Sequence, residues 1–265
     1  MQLIDIGFNF TSSAFQKDAD AVIERAKLAG VEHFVITGSD VEESKQAAEL
    51  ATKYPGMVST AGVHPHLAKS WQQDSYINLK TIAQDIKVAA IGEAGLDYNR
   101  NYSTPEQQRS AFEAQLELAT ELEMPIFLHE RDAHDDFAKI LTTYRTQLSK
   151  VVVHCFTGSN DELNTYLDLD CHIGITGWIC DERRGYHLHD SIKNIPSNRL
   201  MIETDAPYLL PRDLPKDLYP KPNGRRNEPA YLPHILATVA KCRNVSVEQM
   251  AQETTQTAKD FFSIA

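Results

Sequence analysis

The chain has 265 residues, 42% of them hydrophobic and 24% charged, which excludes a disordered or fibrous protein and leaves room for one α/β barrel. Its formal net charge of −11 excludes a protein that coats duplex nucleic acid through many Lys/Arg–phosphate contacts. It leaves open an enzyme whose pocket is made locally positive by a metal ion and a few arginines.

In chain order, apolar and β-branched runs fall at LIDIG (3–7), HFVITG (33–38), MVSTAGV (57–63), VAAIGEAG (88–95), PIFLHE (125–130), VVVHCFTG (151–158), HIGITG (172–177) and LMIETD (200–205). Segments with helical spacing lie between them. The stretch 15–30 ends in a glycine suited to a C-cap, and 104–124 opens with Thr104 as N-cap and Pro105 at the first helical position. Segments 161–170 and 231–243 fit the same pattern. Continuous apolar strands alternating with helices predict a parallel sheet covered on both faces, and eight such units predict a (β/α)8 TIM barrel. An open dinucleotide-binding sheet would want a glycine-rich phosphate loop, and neither GxGxxG nor GxxxxGK[ST] occurs.

No linker, repeat or low-complexity tract marks a boundary, so residues 1–265 read as a single TIM-barrel domain. The longest irregular stretch, 206–233, directly follows the last strand and holds 7 of the 12 prolines; a long loop at that end of a barrel is usually functional. The N-terminal MQLIDIGFNFTSS has no basic region or cleavage site, and no run approaches the roughly 18 apolar residues that span a bilayer. Cys155, Cys171, Cys180 and Cys242 form no CxxC pair and read as reduced structural residues. The expectation is a cytoplasmic protein with no membrane contact and no stable protein partner.

Polar residues that a core would reject cluster at the C-terminal strand ends, where barrel enzymes place their active sites. These ends read GVHPH (62–66), GEAGLD (92–97), LHERDA (128–133), HCFTG (154–158) and ETDAPY (203–208). A single histidine there is ordinarily a hydrogen-bonded structural residue. Glu93, His129, His154 and Asp205 come from four different strands, however, and barrel closure would bring them into one mouth. A divalent cation resolves the cost of burying such a set, since imidazoles and carboxylates are its natural ligands. His64 and His66 are separated by Pro65, which can turn the second ring away. Arg131 lies two residues beyond His129 and can share its face, where its planar fork suits phosphate.

These strand-end motifs, in their order, resemble the TatD family of metal-dependent deoxyribonucleases. The resemblance runs over nearly the whole chain, through ITGSD, TAGVHPH, AIGEAGLDYNRNYSTPEQQ, PIFLHERDAH, VVHCFTGS, HIGITGWICDERRG, MIETDAPYLLPRDL and RRNEPAYLPHI. It implies an amidohydrolase-like barrel and a divalent metal, magnesium or manganese, while two imidazoles and one carboxylate would also suit zinc. It also implies 3′→5′ exonuclease action on single-stranded DNA, extending to RNA, with a role in DNA repair. One departure stands out: most members carry His-x-His at the end of the first strand, where this chain has Gly7 and Asn9. The expectation is therefore one tightly held ion, bound by Glu93, His129 and His154. Asp205 is then the general base or a remaining ligand of a second, weaker ion.

Within that reading, His64 would bind the scissile phosphate or stabilise the leaving oxygen, and Arg131 would clamp a non-bridging oxygen. Glu203 would support the site from behind. His66, Arg183 and Trp178 would contact substrate, the last two from the DERRG loop, with Arg212, Arg225 and Arg226 along the same groove and Tyr98 and Tyr208 as further stacking platforms. Three other readings remain: a small-molecule amidohydrolase, an esterase acting on the aminoacyl end of tRNA, and a non-catalytic nucleic-acid-binding scaffold. Glu93 stands where amidohydrolases often carry a carboxylated lysine, and retention of Glu93, His129, His154 and Asp205 weighs against the scaffold.

Overall fold

Each of the eight apolar runs forms a strand: β1 (Leu3–Phe8), β2 (Val31–Ile36), β3 (Met57–Ala61), β4 (Val88–Asp97), β5 (Ile126–Arg131), β6 (Val151–Val153), β7 (His172–Ile175) and β8 (Leu200–Ile202). The computed structural model describes residues 2–215, 217 and 220–265, so Lys216, Leu218 and Tyr219 of the proline-rich 206–233 loop lie outside the described residues. The strands follow one another in a single eight-stranded sheet in the order β1 to β8, and the pairings β3–β4, β4–β5, β5–β6 and β7–β8 are parallel. Phe8 bridges Ala206 in parallel fashion. Backbone bonds from Asn9 N to Ala206 O (2.9 Å) and from Asp205 N to Gly7 O (2.8 Å) extend that junction between β1 and the segment after β8. This is the (β/α)8 barrel that the alternation of strands and helices predicts.

The helices among the described residues are α1 (Ala19–Leu28), α2 (Val41–Lys53), α3 (Ser75–Ile82), α4 (Pro105–Glu121), α5 (His134–Tyr144), α6 (Asn160–Asp168), α7 (Leu188–Ser191), α8 (Leu232–Arg243) and α9 (Val247–Phe262). Local chemistry sets their ends. Thr104 Oγ1 accepts from Gln107 N, and Gln107 Oε1 accepts from Thr104 N at 2.9 Å, so α4 begins in a complete capping box. Gly30 lies just past α1 at φ +89°, a conformation that glycine adopts without steric cost.

The chain organises as two compact units. One comprises residues 1–35, 155–160 and 173–265. Its packing includes a ring cluster in which Phe8 stacks on Phe10 (centroids 4.8 Å apart) and meets Phe15 edge-on at 5.2 Å. Phe34 closes on the same ring at 5.9 Å.

The other unit comprises residues 36–154 and 161–172 and contains β3 to β6. Its distinctive feature is the buried face of α4, which carries two glutamines among its apolar residues. Gln115 Oε1 accepts from Val63 N at 2.7 Å, while its Nε2 donates to the carbonyls of Val63 (3.1 Å) and Ala111 (3.0 Å). Gln108 repeats the device one strand over, accepting from Asp97 N at 2.8 Å and donating to Asp97 O and Ser103 O, both at 3.0 Å. Backbone groups leaving the ends of β3 and β4 thus find partners on a helix rather than in the sheet.

Within β4 the register with β5 slips between Ile91 and Ala94, so a bulge falls at Gly92 and Glu93. Glu93 N donates to Gly38 O at 3.0 Å instead of following the β5 ladder. Gly92 sits at φ +123°, and a Cβ there would collide with the Phe127 carbonyl oxygen. Only glycine fits this position.

Replacing Gln115 with leucine keeps the volume but leaves the Val63 N–H and C=O buried without partners, at a cost of about 2–4 kcal/mol. Scanning calorimetry of Gln115→Leu should show a clearly lowered Tm; an unchanged Tm would mean that α4 does not hold the β3 exit.

Candidate metal centre

Three imidazoles meet one carboxylate oxygen. Glu93 Oε1 lies 2.7 Å from His154 Nε2, 3.0 Å from His129 Nδ1 and 3.3 Å from His64 Nε2. His129 Nδ1 and His154 Nε2 are themselves 3.4 Å apart. The bulge in β4 aims Glu93 at this point, His129 comes from β5, and His154 directly follows β6. Glu93 is 5% exposed and His154 2%, so the carboxylate sits in a dry, nitrogen-lined recess.

Behind it stands a second carboxylate. Asp97 lies two alternations beyond Glu93 on β4, which returns it to the same face. Its Oδ2 is 2.7 Å from His66 Nε2 and 3.5 Å from His129 Nε2, and Oδ1 accepts from Arg100 N at 2.9 Å. His129 is therefore flanked by a carboxylate on each ring nitrogen, the arrangement that fixes a metal-ligating imidazole from its far side.

His64 differs. It caps the short 3₁₀ turn Pro65–Ser70, and its Nδ1 accepts from His66 N at 3.0 Å. Neutral His64 then carries its one proton on Nε2, the atom facing Glu93. Burial pushes its pKa down to about 4, against the opposing pull of Glu93. His64 is thus a neutral N–H donor at pH 7. Pro65 does not turn His66 away: the two rings stand 4.4 Å apart, each directed to its own carboxylate.

The remaining charges follow from the same contacts. Burial would raise Glu93, but the histidine N–H groups around its Oε1 hold it well below the usual carboxylate range. Burial would lower His129, yet the Asp97 and Glu93 carboxylates on either side of its ring lift it to about 9. Asp97 is drawn down by His129, His66 and Arg100 against its own desolvation.

Without an ion, the recess at neutral pH places protonated His129 between two carboxylates. A divalent cation can replace that proton. His64, Glu93 and His129 each offer one ligand atom within 4.8 Å of the others, and His154 Nε2 lies 2.7 Å from the same Glu93 oxygen; imidazoles with one carboxylate suit a borderline ion such as zinc and admit manganese. Magnesium normally takes more oxygen and water ligands.

The other unit holds Asp205, whose Oδ1 accepts from Asn9 Nδ2 at 2.9 Å; the two residues where the sequence departs from His-x-His have distinct local roles. Asn9 orients Asp205. Gly7 makes room for Glu203, because a Cβ at position 7 would collide with Glu203 Oε2. Glu203 is fully buried and accepts from Cys155 N at 2.5 Å.

The DERRG loop is organised around Asp181, which burial would raise but which its bonds to Arg183 and Arg184 hold at about 2. Arg184 donates from Nε to Asp181 Oδ2 at 2.8 Å and lies over the Trp178 ring at 4.1 Å. One face of the expected stacking platform is therefore covered by the neighbouring arginine. Arg183 is bound to the same aspartate through its backbone N at 3.0 Å while 58% of its side chain stays exposed, and Arg212 Nε lies 3.7 Å from Asp181 Oδ1. Arg226, expected along the groove, is instead engaged with Asp18 and Glu228, both through Nη2 at 2.7 Å. Tyr98 donates to Asp136 at 2.8 Å and accepts from Arg109 at 3.1 Å. Arg131 pairs opposite Asp97 in the β4–β5 register. Tyr208 is largely exposed.

With this geometry in view, the chain belongs to the TatD related DNase family, which it matches over residues 4–263. A Klebsiella pneumoniae relative named 3′-5′ ssDNA/RNA exonuclease TatD is 51% identical over 99% of this chain and 98% of its own length. The protein of the same name from Pectobacterium atrosepticum is 52% identical over 99% and 100%. Among solved structures, a TatD homologue from Escherichia coli, YJJV, superposes with a TM-score of 0.90 at 27% identity, covering 99% of this chain and 98% of that one. A TatD family hydrolase from Entamoeba histolytica gives 0.89 at 28%, covering 100% and 99%. The family is metal-dependent, and the Glu93 recess is a site of the kind that such chemistry uses.

Because His129 is charged below pH 9 in the ion-free protein, metal capture should release about one proton per ion at pH 7.5, with affinity rising toward pH 9. Titration calorimetry in buffers of different ionisation enthalpy measures this directly. Zero proton release would contradict the charge assignment.

Proposed function

We propose that this chain is a metal-dependent nuclease that hydrolyses phosphodiester bonds of single-stranded DNA, and of RNA, from the 3′ end. The observation that carries the reading is the convergence of His129, His154 and His64 on Glu93 Oε1. It occurs in a chain about half identical to relatives named for that activity.

Glu93, His129 and His154 would hold one divalent ion tightly. A bound cation would lower the pKa of a water molecule and polarise the phosphoryl oxygen. Magnesium is the ion the family resemblance favours, while the nitrogen-rich donor set supports manganese or zinc equally well. His64, neutral with its proton on Nε2, donates to a phosphate oxygen or to the departing 3′ oxygen. Asp97 keeps His129 oriented and holds His66 at the rim, where His66 and Arg131 bind phosphate. Asp205, steadied by Asn9, is the carboxylate that the other unit would offer as a proton acceptor or as a ligand of a second, weakly held ion. Arg183 and Trp178 contact the strand, residues 1–265 act as one domain, and a cytoplasmic place in DNA repair completes the reading. No disulfide is present among the described residues, which fits a reducing compartment. No helix among the described residues is long and apolar enough to cross a membrane.

Chelator-stripped protein supplied with magnesium, manganese or zinc should degrade a 5′-labelled single-stranded oligonucleotide in a 3′→5′ ladder, and His129→Ala should abolish it. No ladder with any ion would shift the reading to a small-molecule or aminoacyl-ester hydrolase. Arg183→Ala should raise KM for the oligonucleotide with kcat nearly unchanged; a collapsed kcat at constant KM would remove Arg183 from strand binding.

A further inference from the structure

Away from the Glu93 recess, a second group of donors comes together in the unit that carries the DERRG loop. Cys180 closes the short 3₁₀ turn Gly177–Cys180, Asp213 lies in the loop after β8, and His234 sits in the first turn of α8. One ligand atom from each lies within 4.8 Å of the others. His234 Nε2 is 2.7 Å from Asp213 Oδ1. The Cys180 thiol also interacts with Asp213, and it donates to Thr238 Oγ1 at 3.4 Å. The three side chains therefore meet one another although 33 residues separate Cys180 from Asp213 (213 − 180) and 21 separate Asp213 from His234 (234 − 213).

We propose that Cys180, Asp213 and His234 form a second metal site, selective for a thiophilic divalent ion of the zinc class. The donor chemistry supports the class: thiolate with imidazole and one carboxylate suits zinc or cobalt and disfavours magnesium or calcium, which want oxygen alone. A nucleophilic role fits less well. The thiol is 3% exposed, and burial pushes it up to about 12, the reverse of what an attacking thiolate requires. An ion would take the thiolate as ligand and send the thiol proton to solvent.

The position gives the site a purpose. Cys180 immediately precedes Asp181, and Asp213 immediately follows Arg212, the residues whose 3.7 Å ion pair links the DERRG loop to the loop after β8. An ion held by Cys180, Asp213 and His234 would tie both flanks of that pair to the first turn of α8. It would fix the platform that presents Arg183 and Arg184 without entering the Glu93 recess. This site is structural, independent of which bond the enzyme cleaves.

Cobalt(II) separates the two sites spectroscopically, because a thiolate ligand produces a near-ultraviolet charge-transfer band that the all-nitrogen-and-oxygen Glu93 set lacks. Untagged, chelator-stripped protein is titrated with cobalt chloride and the band is followed, with circular dichroism confirming the fold of each variant. The expected result is a band saturating at one ion per chain, lost in Cys180→Ser and strongly weakened in His234→Ala. It should be retained in Cys155→Ser, in Cys242→Ser and in His129→Ala, and bleached by equimolar zinc. Absence of the band at stoichiometric cobalt, or a band that survives Cys180→Ser, would overturn the proposal. Loss of nuclease activity in His129→Ala with the band intact would show that the two sites are separate.

Discussion

A carboxylate almost sealed from water cannot stay ionised without compensation, and Glu93 is such a group. Leaving it unpaired would cost several kcal/mol, and the chain answers with imidazoles on three sides of one oxygen. Those contacts in turn demand positions. The β4 bulge at Gly92 and Glu93, β5 and the exit of β6 must all hold their register for these contacts to form. The two glutamines of α4 serve the same end by clamping the backbone at Val63 and Asp97, one residue before His64 and on the face behind His129. Much of this unit can be understood as scaffolding for a single charged oxygen.

The strands and the principal donors were legible in the sequence because both break a simple rule. Continuous apolar runs announce buried parallel strands, and three polar residues stand out against them: Glu93 at the bulge within β4, His129 in the second half of β5 and His154 just past β6. Helix ends with explicit cap chemistry, as at Thr104, were equally readable. The long C-terminal α9 was not singled out, although Ser246 caps it by accepting from Gln249 N.

Residues that act through a partner were harder to see. Asp97 ends the GEAGLD motif four residues beyond Glu93, an offset that returns it to the same face, yet nothing in the spacing says that it meets His129 and His66. Gln108 and Gln115 look like ordinary helix-surface residues until α4 turns them inward. Arginines mislead for the opposite reason: their charge draws attention, but Arg226 satisfies Asp18 and Glu228, and Arg184 covers one face of Trp178. Gly7 illustrates the gap well. Read against the family pattern it is a missing ligand, whereas its local meaning is space for the Glu203 carboxylate.

A single ion bound tightly at Glu93 in the absence of substrate is the expectation on which the proposed chemistry rests. Anomalous scattering from crystals of the stripped protein soaked in manganese should show one strong peak within bonding distance of Glu93, His129 and His154. Two fully occupied manganese ions without substrate, or none beside Glu93, would contradict it.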